Sequence, residues 1–327
     1  VIGDILHKKK SYYYFIHSKT LIPILKELSQ ECYKFFGVNL LHHFKFKYYE
    51  HSNDECRLIQ MREISPCLTL NNFIDMNRVI NLFCVASHYS TRYICGDSYL
   101  ENYCNNYSVI HHALYLKNNK SIEILQRFIN TTTKECIGCH ISWKNMLYLW
   151  KVFIEDEGIP NIFFNHFLKQ LLVTQSQKLG IEITSNSDSD SGAITIPSLN
   201  LNSLNSHILE NDNFIIKNRT SKHIPFVCNF ISYWENNIIC YYECDDKEEN
   251  EQEEEYELEI DELLMLFNKS IKKSATTLLH NNISDKMLIG LVRHFYPEVI
   301  IEDEKYLIQV GIKPDIWNKQ KEIEEFN

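Results

Sequence analysis

The chain has 327 residues, 44% of them hydrophobic, and a formal net charge of −10. That length and apolar content suit a globular protein of one large or two ordinary domains with a sizeable core. The acidity sits in one segment: Glu243 to Glu257 holds ten acidic residues and one lysine, and the remainder is close to neutral, so the sum does not exclude a nucleic-acid face elsewhere.

Eleven irregularly spaced cysteines, an odd number in a chain too long to need disulfide staples, read as reduced thiols. No apolar run approaches the roughly 18 residues of a membrane span, and no signal-peptide pattern opens the chain. The expected setting is intracellular, with no membrane partner. The first methionine is Met61, so the region is expected to belong to a longer polypeptide. Asn, Ile, Lys, Tyr, Phe and Leu abound while the only alanines are Ala86, Ala113, Ala193 and Ala275, a usage that points to an AT-rich genome.

Residues 1–113 read as an N-terminal α+β region. Tyr12–Phe15 is a strand candidate, followed by a helix with Leu21, Leu25, Leu28, Cys32 and Phe35 at helical spacing and Gly37 placed to end it. Phe44–Tyr48 alternates aromatics with Lys45 and Lys47, as in a strand, and a second strand around Arg57–Met61 is placed to pair with it. Asp75–Tyr89 returns to helical periodicity.

Residues 114–183 form a helical region, and the pattern from Val109 to Val173 predicts helix throughout. Trp143, Leu147, Trp150 and Ile154 share one face of a helix with Ser142 as N-cap, Gly158 ends it, and Pro160 opens the next, which carries Phe163, Phe164, Phe167, Leu168, Leu171 and Leu172. A Ser/Asn/Asp-rich linker occupies 184–213, a connecting segment 214–242, and an acidic disordered run 243–256. In 257–327, Glu257–Lys273 reads as a helix with Ile260, Leu264, Phe267 and Ile271 on one stripe. Ser284 caps a second helix carrying Leu288, Leu291, Val292 and Phe295 and stopped by Pro297. A hairpin follows, with Val299 and Ile301 facing Tyr306, Ile308 and Val310 across the turn Glu302–Lys305. Helix, helix and two-stranded wing are the later parts of a winged helix, so the expected fold is mainly α with small β elements (α+β), a helical body followed by a C-terminal winged-helix-like module.

No two of the nine glycines lie within six residues of each other, which rules out a glycine-rich phosphate loop, and there is no HExxH, GxSxG or paired CxxC. The absence of these ATPase, hydrolase and dinucleotide motifs leans against an enzyme without deciding it, and no cofactor is expected of this piece. Cys136-x-x-Cys139-His140 is the nearest approach to a metal motif. It reads either as half of a zinc site or as two ordinary cysteines in a turn before a helix, and no metal is assigned to it. Lys8-Lys9-Lys10 with Tyr12-Tyr13-Tyr14, and the Phe44–Tyr48 strand, either present rings and lysines to nucleic acid or turn the rings into the core. The carboxylates Glu155-Asp156-Glu157 and Asp188-Ser189-Asp190 read as solvated charge. In the C-terminal module the second helix offers Lys286, Arg293 and His294, with Lys305 on the wing, as nucleic-acid contacts. The wing also carries Glu302, Asp303 and Glu304, which repel phosphate, so DNA contact and protein docking both remain open.

Several stretches carry a resemblance: ISWKNMLYLWKVFIEDEGIPNIFFNHFLKQLL at 141–172, Thr220-Ser221-Lys222-His223-Ile224-Pro225 with Phe230 and Tyr233-Trp234-Glu235, ELEIDELLMLF at 257–267, and Arg293-His294-Phe295-Tyr296-Pro297 with Lys305-Tyr306 and Ile316-Trp317-Asn318-Lys319. They resemble proteins of giant nucleocytoplasmic, mimivirus-like DNA viruses, over roughly the last two thirds of the chain. The association extends to a region attached to D5-like primase-helicases. The resemblance implies a non-catalytic, nucleic-acid-associated or scaffolding part of a viral replication or transcription protein, working in the host cytoplasm or virus factory. DNA, through the C-terminal module, and proteins are the partners it implies. The alternative is a protein-interaction or virion structural component using its acidic arm.

Overall fold

The computed structural model describes residues 1–9, 14–16, 21–45, 56–59, 76–159, 161–185, 214–241, 256–273 and 283–313. Expectations for Lys10, Tyr12, Tyr13, Phe46–Tyr48, Pro160, the linker at 186–213 and the acidic run at 243–255 lie outside these residues. The described chain is mainly helical with small sheets, and it divides into two compact units, 1–131 with 150–211 and 132–149 with 212–327.

The first unit begins with α1 (Ile2–Leu6), β1 (Tyr14–Ile16) and α2 (Leu21–Phe36). Next come β2 (Phe44–Lys45), β3 (Arg57–Ile59) and α3 (Met76–Arg92). The strands form a parallel sheet in the order β2-β1-β3, so the segment at Arg57 pairs with β1 and not with the Phe44 strand as expected. Tyr14 and Phe44 are buried with Ile5, Leu25, Cys32, Leu40, Val79 and Phe83, placing these rings in the core. Lys45, on the opposite face of the alternation from the rings, is also fully buried. A side chain on Gly3 would collide with the Ala86 carbonyl and lie 2.6 Å from Ser90 Cβ, so only glycine lets α1 cross α3 this closely. Asp4 joins the same crossing, accepting hydrogen bonds from Ser90 Oγ (2.7 Å) and the Gly96 amide (2.6 Å). Lys9 donates to the Ser90 and Tyr93 carbonyls, satisfying the C-terminal end of α3.

The helices α4 (Gly96–Tyr103), α5 (Tyr107–Ala113), α6 (Tyr115–Asn118) and α7 (Ser121–Thr132) follow. The chain then runs through β4 (Lys134–Ser142) and returns along α8 (Trp143–Asp156) to α9 (Asn165–Thr174), α10 (Ser176–Leu179) and β5 (Glu182–Ser185). The strand β4 interrupts the region expected to be helical throughout. Helix α7 ends at Thr132, the β-branched Thr133 follows it, and Gly138 adopts φ +82° within β4. Ser142 caps α8 through the Asn145 amide (3.3 Å), and Gly158 turns the chain at φ +65°, both as expected.

Trp150 stacks on Phe163 (5.3 Å between centroids), meets Phe128 edge-on (5.2 Å) and donates from Nε1 to Asn161 (2.9 Å). Met146, Leu149, Trp150 and Phe153 are buried with Trp143, while Leu147 and Ile154 of the expected stripe are only half-buried. Glu157 is bound and not merely solvated: Arg127 Nη1 lies 3.1 Å from it and the Tyr115 hydroxyl donates to it at 3.2 Å. Burial, opposed by the Arg127 charge and reinforced by Glu157, pushes the Tyr115 hydroxyl up to about 12.

The second unit holds β4, the first half of α8, β6 (Phe214–Thr220), α11 (Ile224–Asn237), β7 (Ile238–Cys240), β8 (Glu257–Glu259), α12 (Ile260–Lys273), α13 (Asp285–Phe295), β9 (Ile300–Glu302), β10 (Tyr306–Ile308) and β11 (Val310–Ile312). The antiparallel sheet β8-β10-β9 is followed by the two-stranded pair β11-β7. Residues 257–259 were expected to begin the helix and instead form β8. The period-two alternation Glu257-Leu258-Glu259 buries Leu258 (3% exposed) between two exposed glutamates, and the helix starts at Ile260. The hairpin register also differs from expectation: Ile301 pairs with Leu307, which is fully buried, while Tyr306 and Ile308 are only half-buried. Around Phe267 gather Phe226, Phe230 and Tyr233, and Trp234 stacks on Tyr296 at 4.5 Å.

Candidate nucleic-acid interface

The helix α13 starts where Ser284 Oγ accepts the Met287 amide (3.3 Å), and it buries Leu288, Ile289, Leu291, Val292 and Phe295. That leaves Asp285, Lys286, Gly290 and Arg293 exposed. Lys286, Gly290 and Arg293, spaced by four and three residues, share one stripe of the helix. A Cβ on Gly290 would meet nothing within 4 Å, so no neighbour requires its absence.

The sheet beside this helix supplies the other half of the surface. Arg293 Nη1 lies 3.4 Å from Glu304 in the β9–β10 turn. Lys305 donates to the Tyr306 hydroxyl (2.8 Å), lies 3.5 Å from Glu259 on β8, and is held charged above its usual range first by that hydroxyl and then by Glu259. The turn is tight, with Asp303 and Glu304 at φ +49° and +55°. Glu257, Glu259, Glu302, Asp303 and Glu304 are all exposed on this sheet and its turn, against Lys305.

His294 faces another way. Its Nε2–H donates to the Lys144 carbonyl (2.8 Å), its ring packs against Tyr148, and Lys144 Nζ donates back to the Phe295 carbonyl (2.9 Å). The first turn of α8 thereby satisfies the end of α13. Of the four sequence-expected contacts, Arg293 and Lys305 each meet a carboxylate of the hairpin sheet, Lys286 lies at the start of the exposed stripe, and His294 is turned to α8. Lys144 and Glu259 were missed. Lys144 acts on a segment 151 residues away and left no local signal, whereas Glu259 was legible in the strand alternation.

At the β4–β6 junction the register jumps between Glu135↔Arg219 and His140↔Lys217, so residues 136–139 bulge from the ladder. Cys136 Sγ and Cys139 Sγ stand 2.7 Å apart across this excursion. Among the described residues no group of three or more His, Cys, Asp or Glu is arranged to hold a metal ion, and no helix is long and apolar enough to cross a membrane. Comparison with protein-family models, curated proteins and solved structures returned no match.

Proposed function

We propose that this chain is a non-catalytic scaffolding region of a giant-virus replication or transcription protein, working inside the host cell, and that residues 224–312 are a winged-helix-like module that docks a basic protein segment. Support for the module comes from the order α11, β8, α12, α13, β9, β10 with sheet order β8-β10-β9, in which the first short strand pairs with the last and the hairpin turn stands as a wing.

The observation that carries the docking assignment is the charge of that wing. Five exposed carboxylates share this sheet and its turn with Lys305, and Arg293 Nη1 lies 3.4 Å from Glu304. Exposed ion pairs of this kind are worth at most about 1 kcal/mol each, so the pairs alone do not block phosphate; the summed carboxylate field does. A phosphate backbone laid along α13 against this sheet meets repulsion where a DNA-reading module presents cations.

The exposed stripe of Lys286, Gly290 and Arg293 favours a second reading, in which duplex DNA is met by α13 alone. Fluorescence anisotropy with a labelled DNA duplex and a single strand, between about 50 and 200 mM salt, separates the two. Docking of a basic protein segment predicts no salt-dependent DNA binding by the wild-type chain. Tight binding that falls with salt and is lost in Arg293→Ala would overturn it.

A further inference from the structure

We propose that Cys136 and Cys139 form a reversible thiol–disulfide site, oxidised by exchange with a low-molecular-weight disulfide of the glutathione class.

The bulge in β4 is built in a way that brings these two sulfurs together. Between its paired ends, β4 spends four residues, Cys136 to Cys139, where β6 spends only Asn218. Gly138 takes φ +82°, a backbone that side-chain-bearing residues rarely adopt, and its amide donates to Asn218 Oδ1 at 3.1 Å. Asn218 is itself at φ +54°, so both strands are shaped to the excursion. The tight turn carries Ile137 outward, 96% exposed, and folds the flanking cysteines back on each other. Their sulfurs are within hydrogen-bonding distance at 2.7 Å, about 0.7 Å longer than a covalent disulfide of about 2.05 Å. Both side chains are partly solvent-accessible, which a small disulfide needs in order to reach them.

Two cysteines can also be half of a zinc site. The described residues place no third His, Cys, Asp or Glu with them in a metal-holding group. A pair in mutual contact is suited to bond formation between its own sulfurs.

The exchange is balanced as follows. The thiolate of either cysteine attacks one sulfur of glutathione disulfide, breaking that bond, forming a mixed disulfide and releasing one glutathione thiolate. The second cysteine, as thiolate, attacks the protein sulfur of the mixed disulfide and releases the second glutathione. The two cysteines lose two electrons and two protons, and glutathione disulfide is reduced to two glutathione molecules.

The test is a redox titration of the purified full chain in mixtures of reduced and oxidised glutathione, quenched in acid, alkylated with N-ethylmaleimide and read by peptide mass spectrometry. As the oxidised fraction rises, the peptide containing Cys136 and Cys139 passes from doubly alkylated to unalkylated and two hydrogens lighter, while the exposed Cys84 and Cys228 yield only alkylated or glutathionylated species. In Cys139→Ser the titration stops at a glutathione adduct on Cys136. The proposal is overturned if the wild-type peptide stays doubly alkylable under oxidising mixtures, if its adduct never resolves, or if the purified chain carries one equivalent of zinc that shields both thiols from alkylation. The wild-type measurement does not depend on the folding of any variant.

Discussion

Replacing Asp97 by Asn should be among the most damaging single changes in the first unit. The Asp97 carboxylate is gripped by Arg57 through Nε (2.9 Å) and Nη2 (2.7 Å), with Lys117 Nζ at 3.2 Å, and Lys117 continues to Glu101 at 2.6 Å. The Arg57 and Asp97 side chains are only 8% and 5% exposed, so solvent screens little of this pair. Asparagine keeps the volume but leaves the Arg57 guanidinium buried without its counter-charge, a loss of about 3–5 kcal/mol. With an m-value of about 3 kcal/mol/M in urea, the midpoint should fall by roughly 1–1.7 M.

Burial by itself raises the Asp97 carboxyl, but the hydrogen bonds and charges of Arg57 and then Lys117 hold it below the usual carboxylate range. A depressed folded-state value means that the stabilisation is complete above the unfolded value of about 3.9 and is lost as pH falls through the folded value. Urea melts followed by far-ultraviolet circular dichroism should therefore show a constant gap between wild type and Asp97→Asn from pH 8 to about 5, narrowing below about 4. A midpoint shift under about 0.3 M at pH 7, or a gap that widens in acid, would refute the assignment of a buried, net-stabilising pair.

Tyr296→Phe should be neutral or stabilising by up to about 1 kcal/mol in thermal melts. Its hydroxyl is buried without a hydrogen-bond partner among the described residues, while its ring keeps the Trp234 stack. Gly290→Ala should raise stability by about 0.5–1 kcal/mol, since α13 gains a better helix former and the new methyl meets nothing. If the same variant also weakens a bound partner, that partner approaches the helix backbone at Gly290. Leu307→Ala should cost about 2–5 kcal/mol and Ile300→Ala, on an exposed strand position, under about 0.5 kcal/mol; equal losses would show the hairpin register to be wrong.

What could be read from the sequence follows the range of the forces involved. Helices with local signals were legible: Leu21 to Phe35 at helical spacing ends at Gly37, and the Ser284 hydroxyl caps a helix that buries Leu288, Leu291, Val292 and Phe295. The strands at Tyr14, Phe44 and Arg57 were located but their pairing was not, because each is only two or three residues and its partner is distant; likewise β8 pairs across some fifty residues with β10, and β7 pairs with β11. The assignment of Glu257–Glu259 to helix failed because strong helix formers follow directly, so strand alternation covered too few residues to compete. The hairpin was found but its register slipped by one, which exchanged Tyr306 and Ile308 for Leu307. At the candidate interface, the cations Lys286, Arg293 and Lys305 were visible as residue types, as were the wing acids, but the Arg293–Glu304 pair and the turning of His294 to Lys144 depend on tertiary placement.

The most direct measurement is a charge swap on the wing. Wild type and a Glu302→Lys, Asp303→Lys, Glu304→Lys variant would be titrated by fluorescence anisotropy against a labelled DNA duplex and against a labelled Lys/Arg-rich peptide of about 15 residues, with salt varied around one Debye length of about 10 Å at 0.1 M. An acidic docking wing predicts that wild type binds the peptide and not the duplex, and that the variant loses the peptide and gains salt-dependent duplex binding. A wild-type chain that binds the duplex, or a variant whose peptide affinity is unchanged, would contradict it.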